Sequence, residues 1–206
     1  MLHRKNTVNA PLNQRWKQLA GKVFRRKDLA DTLPSVDREL WLAVKAGIIH
    51  KAARGLYYVP RRTPFGDAPP SEEALVEKFL DDHHFLMFSP SCYNALGLGT
   101  TQLYSKTVVY NHKRHGKFVL AGFEFDFRDK PRFPSRKQVN REYLLVDMLS
   151  NLSELAEDPE TVLSNVRRKL DTFDAGRLEK MLADYGSART RRLFRQLRSK
   201  PHSEHS

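Results

Sequence analysis

A chain of 206 residues, 40% hydrophobic and 29% charged, can bury a core in one or two domains, which excludes wholesale disorder. Its single cysteine, Cys92, excludes an internal disulfide, and no apolar run approaches the ~18 residues of a membrane span or resembles a leader, so a cytoplasmic location is expected. The net charge of +12 is uneven: residues 1–62 hold 14 Lys/Arg against 4 Asp/Glu, residues 187–206 hold 6 against 1, and the stretch between holds 16 against 19. Positive charge at the two ends is where a polyanion would release counterions on binding.

In chain order, MLHRKNTVNA reads as a basic arm. Residues 11–20 place Leu12, Trp16 and Leu19 at i, i+4, i+7, a first helix with Trp16 in the core, stopped at Gly21. Val23 and Phe24 read as a short strand. Arg25, Arg26 and Lys27 then precede a second helix carrying Asp28, Leu29 and Leu33, a position suited to phosphate contact.

Pro34 separates that helix from a longer one, because proline disfavours helical geometry in the residue before it. Ser35 can cap the new helix, Asp37 places negative charge at its positive end, and Gly47 can end it in the left-handed conformation. Val36, Leu40, Ala43 and Val44 form the expected buried stripe, leaving Arg38, Trp41, Leu42 and Lys45 outward. Arg, Lys and an aromatic on one helix face can reach base edges and phosphates in a major groove. An outward Trp41 equally fits packing between domains or across a dimer.

Residues 48–52 and 56–59 are β-rich and flank Ala53-Arg54-Gly55, which predicts a ribbon carrying Lys51, with Arg54 at its tip. Arg54 suits a phosphate backbone or a minor groove, and suits a solvated turn as well. Strand, short helix, turn, longer helix and ribbon give the order of a winged helix-turn-helix over residues 1–62. The fold class expected is therefore α+β: a winged helix-turn-helix, then a mixed α+β domain with a C-terminal helical segment.

Residues 63–71, TPFGDAPPS, have a linker's composition, and a second domain is expected over 72–200. Ser71 opens a helix with Glu72 and Glu73 in its first turn and Leu75, Val76, Phe79 and Leu80 on one face. Ser89 or Ser91 caps a short helix ending at Gly97. Runs at 107–110 and 117–127 predict an antiparallel hairpin. A buried helix at 143–152 and three helical patterns at 162–170, 175–185 and 188–197 follow, and residues 201–206 are too polar to fold. On the last helix Leu193, Phe194 and Leu197 make an apolar stripe, while Arg191, Arg195 and Arg198 line up at i, i+4, i+7. That strip reads as a second basic surface, or as a solvated face whose charge suits the helix C-terminus.

A family resemblance rests on VFRRKDLADTL and DRELWLAVKAGIIHKAARGLYYVP, with Lys45, Gly47, Ile48, Arg54, Gly55, Leu56 and Tyr57 as its marker residues. This region resembles the DNA-binding domain of AbiEi-type antitoxins and related bacterial winged-helix regulators. Similarity that is less specific continues through FSPSCYNALGLGTTQ and GSARTRRLFRQL, and Trp41 departs from the small or polar residue expected there. The resemblance implies a repressor of its own operon, paired with a nucleotidyltransferase-like toxin encoded alongside it, with double-stranded DNA as the other partner.

No enzymatic activity, cofactor or membrane association is expected. His112 and His115, or His83-His84 beside Asp81-Asp82, lack the three or four convergent ligands of a metal site. The competing class is a metal-dependent nuclease targeted by the winged helix, in which Glu124 and Asp126 share a strand face near Asp129 and Lys130 and could hold Mg²⁺. The same alternation fits a solvent face opposite Phe123, Phe125 and Phe127. No phosphate-cradling glycine loop and no GxSxG motif is present.

Overall fold

The computed structural model describes residues 16–31 and 33–199. The basic arm, Leu12 and the polar tail after Lys200 lie outside them. The architecture is mixed α+β with a helical C-terminal segment, and no helix among the described residues is long and apolar enough to cross a membrane. The chain divides into two compact units, one of residues 1–83 with 116–125, the other of 84–115 with 126–206. The division thus follows His83 and does not fall in the 63–71 stretch expected as a linker.

In the first unit, β1 (Val23–Arg25) leads into a 3₁₀ helix (Arg26–Leu29), then α1 (Val36–Lys45), β2 (His50–Ala53) and β3 (Leu56–Tyr58). The three strands pair antiparallel in the order β1-β3-β2, with Val23 opposite Tyr58 and His50 opposite that same Tyr58. Trp16, Phe24, Leu33, Val36, Leu40, Ala43, Ile49 and Val59 form one buried cluster. Each large side chain removed from water there contributes about 1.5–3 kcal/mol. Gly47, at φ +68°, makes the left-handed turn that frees the chain from α1 to enter β2.

Residues 63–71 are not an open linker. Pro60 is followed by a hairpin of β4 (Arg61–Thr63) and β5 (Gly66–Ala68), with Thr63 opposite Gly66. A Pro-Phe loop flanked by Thr and Gly satisfies the turn rules that made the composition look like a boundary. Next, α2 (Glu72–Leu80) is capped by Ser71, whose side chain accepts from the Ala74 N–H, and buries Leu75, Val76, Phe79 and Leu80 as expected.

Strands β6 (Leu86–Phe88), β7 (Thr107–Asn111), β8 (Gly116–Leu120) and β9 (Phe123–Asp129) form a sheet in the order β6-β7-β9-β8. The run expected as one strand over 117–127 breaks at Ala121-Gly122, both at positive φ, the conformation of a two-residue hairpin loop. Ser89 caps the 3₁₀ helix Pro90–Leu96, which Gly97 ends.

Helices α3 (Arg141–Ser150), α4 (Pro159–Lys169), α5 (Ala175–Tyr185) and α6 (Ala188–Ser199) complete the second unit. Asn140, Asp158 and Asp174 cap the first three through their side chains, each satisfying a free first-turn N–H. Leu145, Met148, Val162, Val166, Leu178, Leu182, Phe194 and Leu197 interlock in one core. Asp147, with no exposed side-chain surface, is buried in α3, where it accepts from the hydroxyls of Tyr93 (2.6 Å) and Tyr110 (3.0 Å) and from Lys130 Nζ (2.5 Å). Burial and the carboxylate together push both tyrosines far above their ordinary range, so they remain donors.

Candidate nucleic-acid interface

The long helix of the first unit, α1, turns Val36, Leu40 and Ala43 into the core and leaves Arg38, Trp41 and Lys45 exposed. Trp41 is 59% exposed, with Lys45 Nζ 4.9 Å above its ring. That contact holds the indole and the ammonium together as one outward group. Two expectations change. Val44 is 40% exposed and widens the outward face, while Leu42 is half-buried against the domain. Helical spacing places a residue within about 100° per step but does not fix the stripe's edge, and both residues sit on that edge. Ser35 occupies the N-cap position, yet its hydroxyl makes no cap hydrogen bond, and its backbone (φ −143°, ψ 71°) departs from the usual cap geometry.

The basic run before α1 is already engaged. Arg25 donates from Nε to the Lys78 carbonyl (2.9 Å) and from Nη2 to that of Phe79 (2.6 Å), closing the C-terminal turn of α2. Arg26 makes a bidentate pair with Asp37 at 2.6 and 2.7 Å. The hydrogen bonds and charge of that guanidinium hold the Asp37 carboxyl below its usual range. Lys27 meets Asp81 at 2.5 Å and lowers its pKa in the same way. Lys78 pairs with Asp28 at 2.9 Å. The acceptors on Lys78, Phe79 and Asp81 lie more than fifty residues from the cations they engage, beyond the reach of any local sequence pattern.

Other candidate cations remain open. Arg38, Lys51 and Arg54 are exposed and make no ion pair among the described residues. Lys51 lies on β2 opposite Tyr57, and Arg54 precedes Gly55 in the loop joining β2 to β3. The ribbon carries an irregularity between Lys51 and Ala53, and the Ala52 carbonyl accepts from Ala121 N–H at 3.0 Å, which fixes the β2 edge. His50 stacks on Tyr58 with centroids 5.4 Å apart, a contact that spacing alone did not indicate.

The strip on α6 is placed as expected, with Phe194 and Leu197 buried, Leu193 half-buried, and Arg191, Arg195 and Arg198 exposed. Arg198 pairs with Glu179 at 3.0 Å and Arg191 reaches the Ala183 carbonyl at 3.5 Å, so Arg195 is the least engaged of the three.

The carboxylates of FEFDFRDK do not converge. Glu124 is exposed, Asp126 is bound by Arg128 at 2.7 Å, and Lys130 is drawn to the buried Asp147. Phe125 and Phe127 are core, which matches the plain alternation of a half-buried strand. His84 and His112 stack with centroids 5.2 Å apart, each 4.9 Å from Phe133, and His83 lies 3.4 Å from Glu77. Among the described residues no group of three His, Cys, Asp or Glu is placed to hold a metal ion. Comparison of the chain with protein-family models, with curated proteins and with solved structures gives no match.

Proposed function

We propose that the first unit is a winged helix-turn-helix that binds duplex DNA, with α1 in a major groove and the β2–β3 ribbon along the backbone. The observation that carries this reading is the strand order β1-β3-β2 beside a helix whose outward face presents Arg38, Trp41 and Lys45, with Arg54 at the ribbon's turn. Arg38 and Trp41 read bases, Lys51 and Arg54 meet phosphates, and Arg25 supports the domain from within. A filter or anisotropy assay over a salt series tests it. Three phosphate contacts, by Lys45, Lys51 and Arg54, give a log–log slope of about −2.7, and a flat dependence refutes the proposal.

We further propose that the protein represses its own operon as an antitoxin. The resemblance of the 23–60 region to AbiEi-type antitoxins supports this. Expression of the neighbouring reading frame alone should stop growth, and co-expression of this chain should restore it. Failure of rescue removes the antitoxin role and leaves the DNA-binding reading standing.

A further inference from the structure

Phe65 is 101% exposed, at the tip of the β4–β5 hairpin. A phenylalanine is a large apolar group that proteins ordinarily bury, and the ring of this one is fully open to solvent. Its setting is nevertheless built. Thr63 Oγ1 donates to the Gly66 carbonyl at 2.7 Å and accepts from the Phe65 N–H at 3.3 Å, clamping both ends of the Pro64-Phe65 loop. Gly66 at φ +115° lets the chain reverse, and Pro64 restricts the loop further.

Behind the tip stand Arg61 and Arg62, both exposed. The Arg62 side chain is 95% exposed, and its carboxylate neighbour Asp67 is 3.9 Å away, too far for a firm pair. Arg62 and Asp67 also line a cavity of about 530 Å³ with Ala46, Gly47 and Ile48, the residues that directly follow Lys45. The base of the hairpin therefore lies beside the C-terminal end of α1.

We propose that this hairpin is a second DNA-contacting element, in which Phe65 wedges against a base step while Arg61 and Arg62 hold the flanking phosphates. The inference rests on the DNA-binding reading of the first unit. Apolar wedges flanked by basic side chains enter the minor groove and partly unstack flexible pyrimidine–purine steps. A protein partner would meet the same phenylalanine with an apolar pocket, but two open arginines beside it, in a segment carrying 14 Lys/Arg against 4 Asp/Glu, favour a polyanion.

The probe is a mixed-sequence duplex of about 30 base pairs with 2-aminopurine at its TA steps, which brightens on unstacking, titrated with the full chain over a salt series. Wild-type protein should raise the fluorescence. Phe65→Ala should lose that signal and bind about tenfold more weakly with an unchanged salt slope, and Phe65→Trp should keep both. Arg61→Ala and Arg62→Ala should each reduce the slope by about 0.9. Because all three side chains are exposed, circular dichroism should show every variant folded. Absence of wild-type binding overturns the DNA reading and this proposal together. Wild-type binding with its salt slope, but with affinity and fluorescence untouched by Phe65→Ala, overturns the hairpin proposal alone. So does a Phe65→Ala effect confined to self-association, which would assign the tip to a protein contact.

Discussion

Removing a negative charge from α1 should strengthen DNA binding, and by a predictable amount. Asp37 stands in the first turn of α1 and neutralises Arg26 through two hydrogen bonds, with 56% and 74% of the paired side chains exposed. In the free protein this pair presents no net charge, so Arg26 releases no counterion from a phosphate while Asp37 holds it. Asp37→Ala frees the guanidinium. If Arg26 faces the backbone, one added phosphate contact steepens the salt slope by about 0.9 and tightens binding about eightfold at about 0.1 M salt. So exposed a pair adds little to stability, and Glu39 keeps an acid in the helix's first turn, so the fold should survive. Glu160→Ala, the same change of charge at an exposed site in the other unit, controls for net charge. Fluorescence anisotropy from about 50 to 200 mM salt reads both slope and affinity. Asp37→Ala that binds no tighter than wild type, with an unchanged slope and an intact thermal transition, would show that Arg26 points away from DNA and that the docking geometry is wrong.

Asp147→Ala should destabilise the protein by about 3–5 kcal/mol, since it strands Lys130 and two buried tyrosine hydroxyls, and a urea midpoint shift worth under about 1 kcal/mol would contradict the buried pair. Burial pushes the Cys92 thiol up to about 12, so alkylation at about pH 8 should be slow in native protein and fast in urea, and equal rates would show Cys92 to be open. For Asp28, burial acts to raise the pKa, but the Arg25 N–H and Lys78 outweigh it and the folded value falls below the ordinary 3.8. Its stabilisation is therefore complete above that value and is lost as pH falls through the lower folded one, and Asp28→Asn should flatten the acid limb of stability against pH. An acid limb that Asp28→Asn leaves unchanged would remove the Asp28–Lys78 contact from the account.

Local signals carried well where one element decides the outcome. Trp16 in the core, Ser71 as a cap, the Leu75-Val76-Phe79-Leu80 face and the 175–185 helix all follow from periodicity and capping chemistry, which act within a few residues. The 63–71 stretch shows the limit of composition. Proline and glycine mark a chain reversal and an open linker equally, and the Thr63 side chain, closing the loop on Gly66, decides for the hairpin. Likewise, the only local mark between β8 and β9 was Gly122, which inside an alternating run reads equally as a bulge, while Ala121 at φ +51° is a conformation that side-chain pattern does not announce.

Electrostatics was the least legible level, for a physical reason that bears on function. A sequence reports how many cations a segment holds, whereas binding depends on how many remain unpaired after folding. Arg25, Arg26 and Lys27 look equivalent in a row, yet one closes a helix end, one is neutralised by Asp37 and one by Asp81. Arg38, Lys51 and Arg54 are scattered along the chain and make no ion pair among the described residues. The same sorting on α6 sets Arg195 apart from Arg198, which Glu179 already holds. Counterion release counts only charges that can trade a solvent ion for a phosphate, so the measured slope should follow the unpaired residues and fall well short of the 14 basic residues in the first 62. A slope near the full count would mean that the internal pairs open on DNA, making Asp37 and Asp81 competitors for the same cations that phosphate recruits.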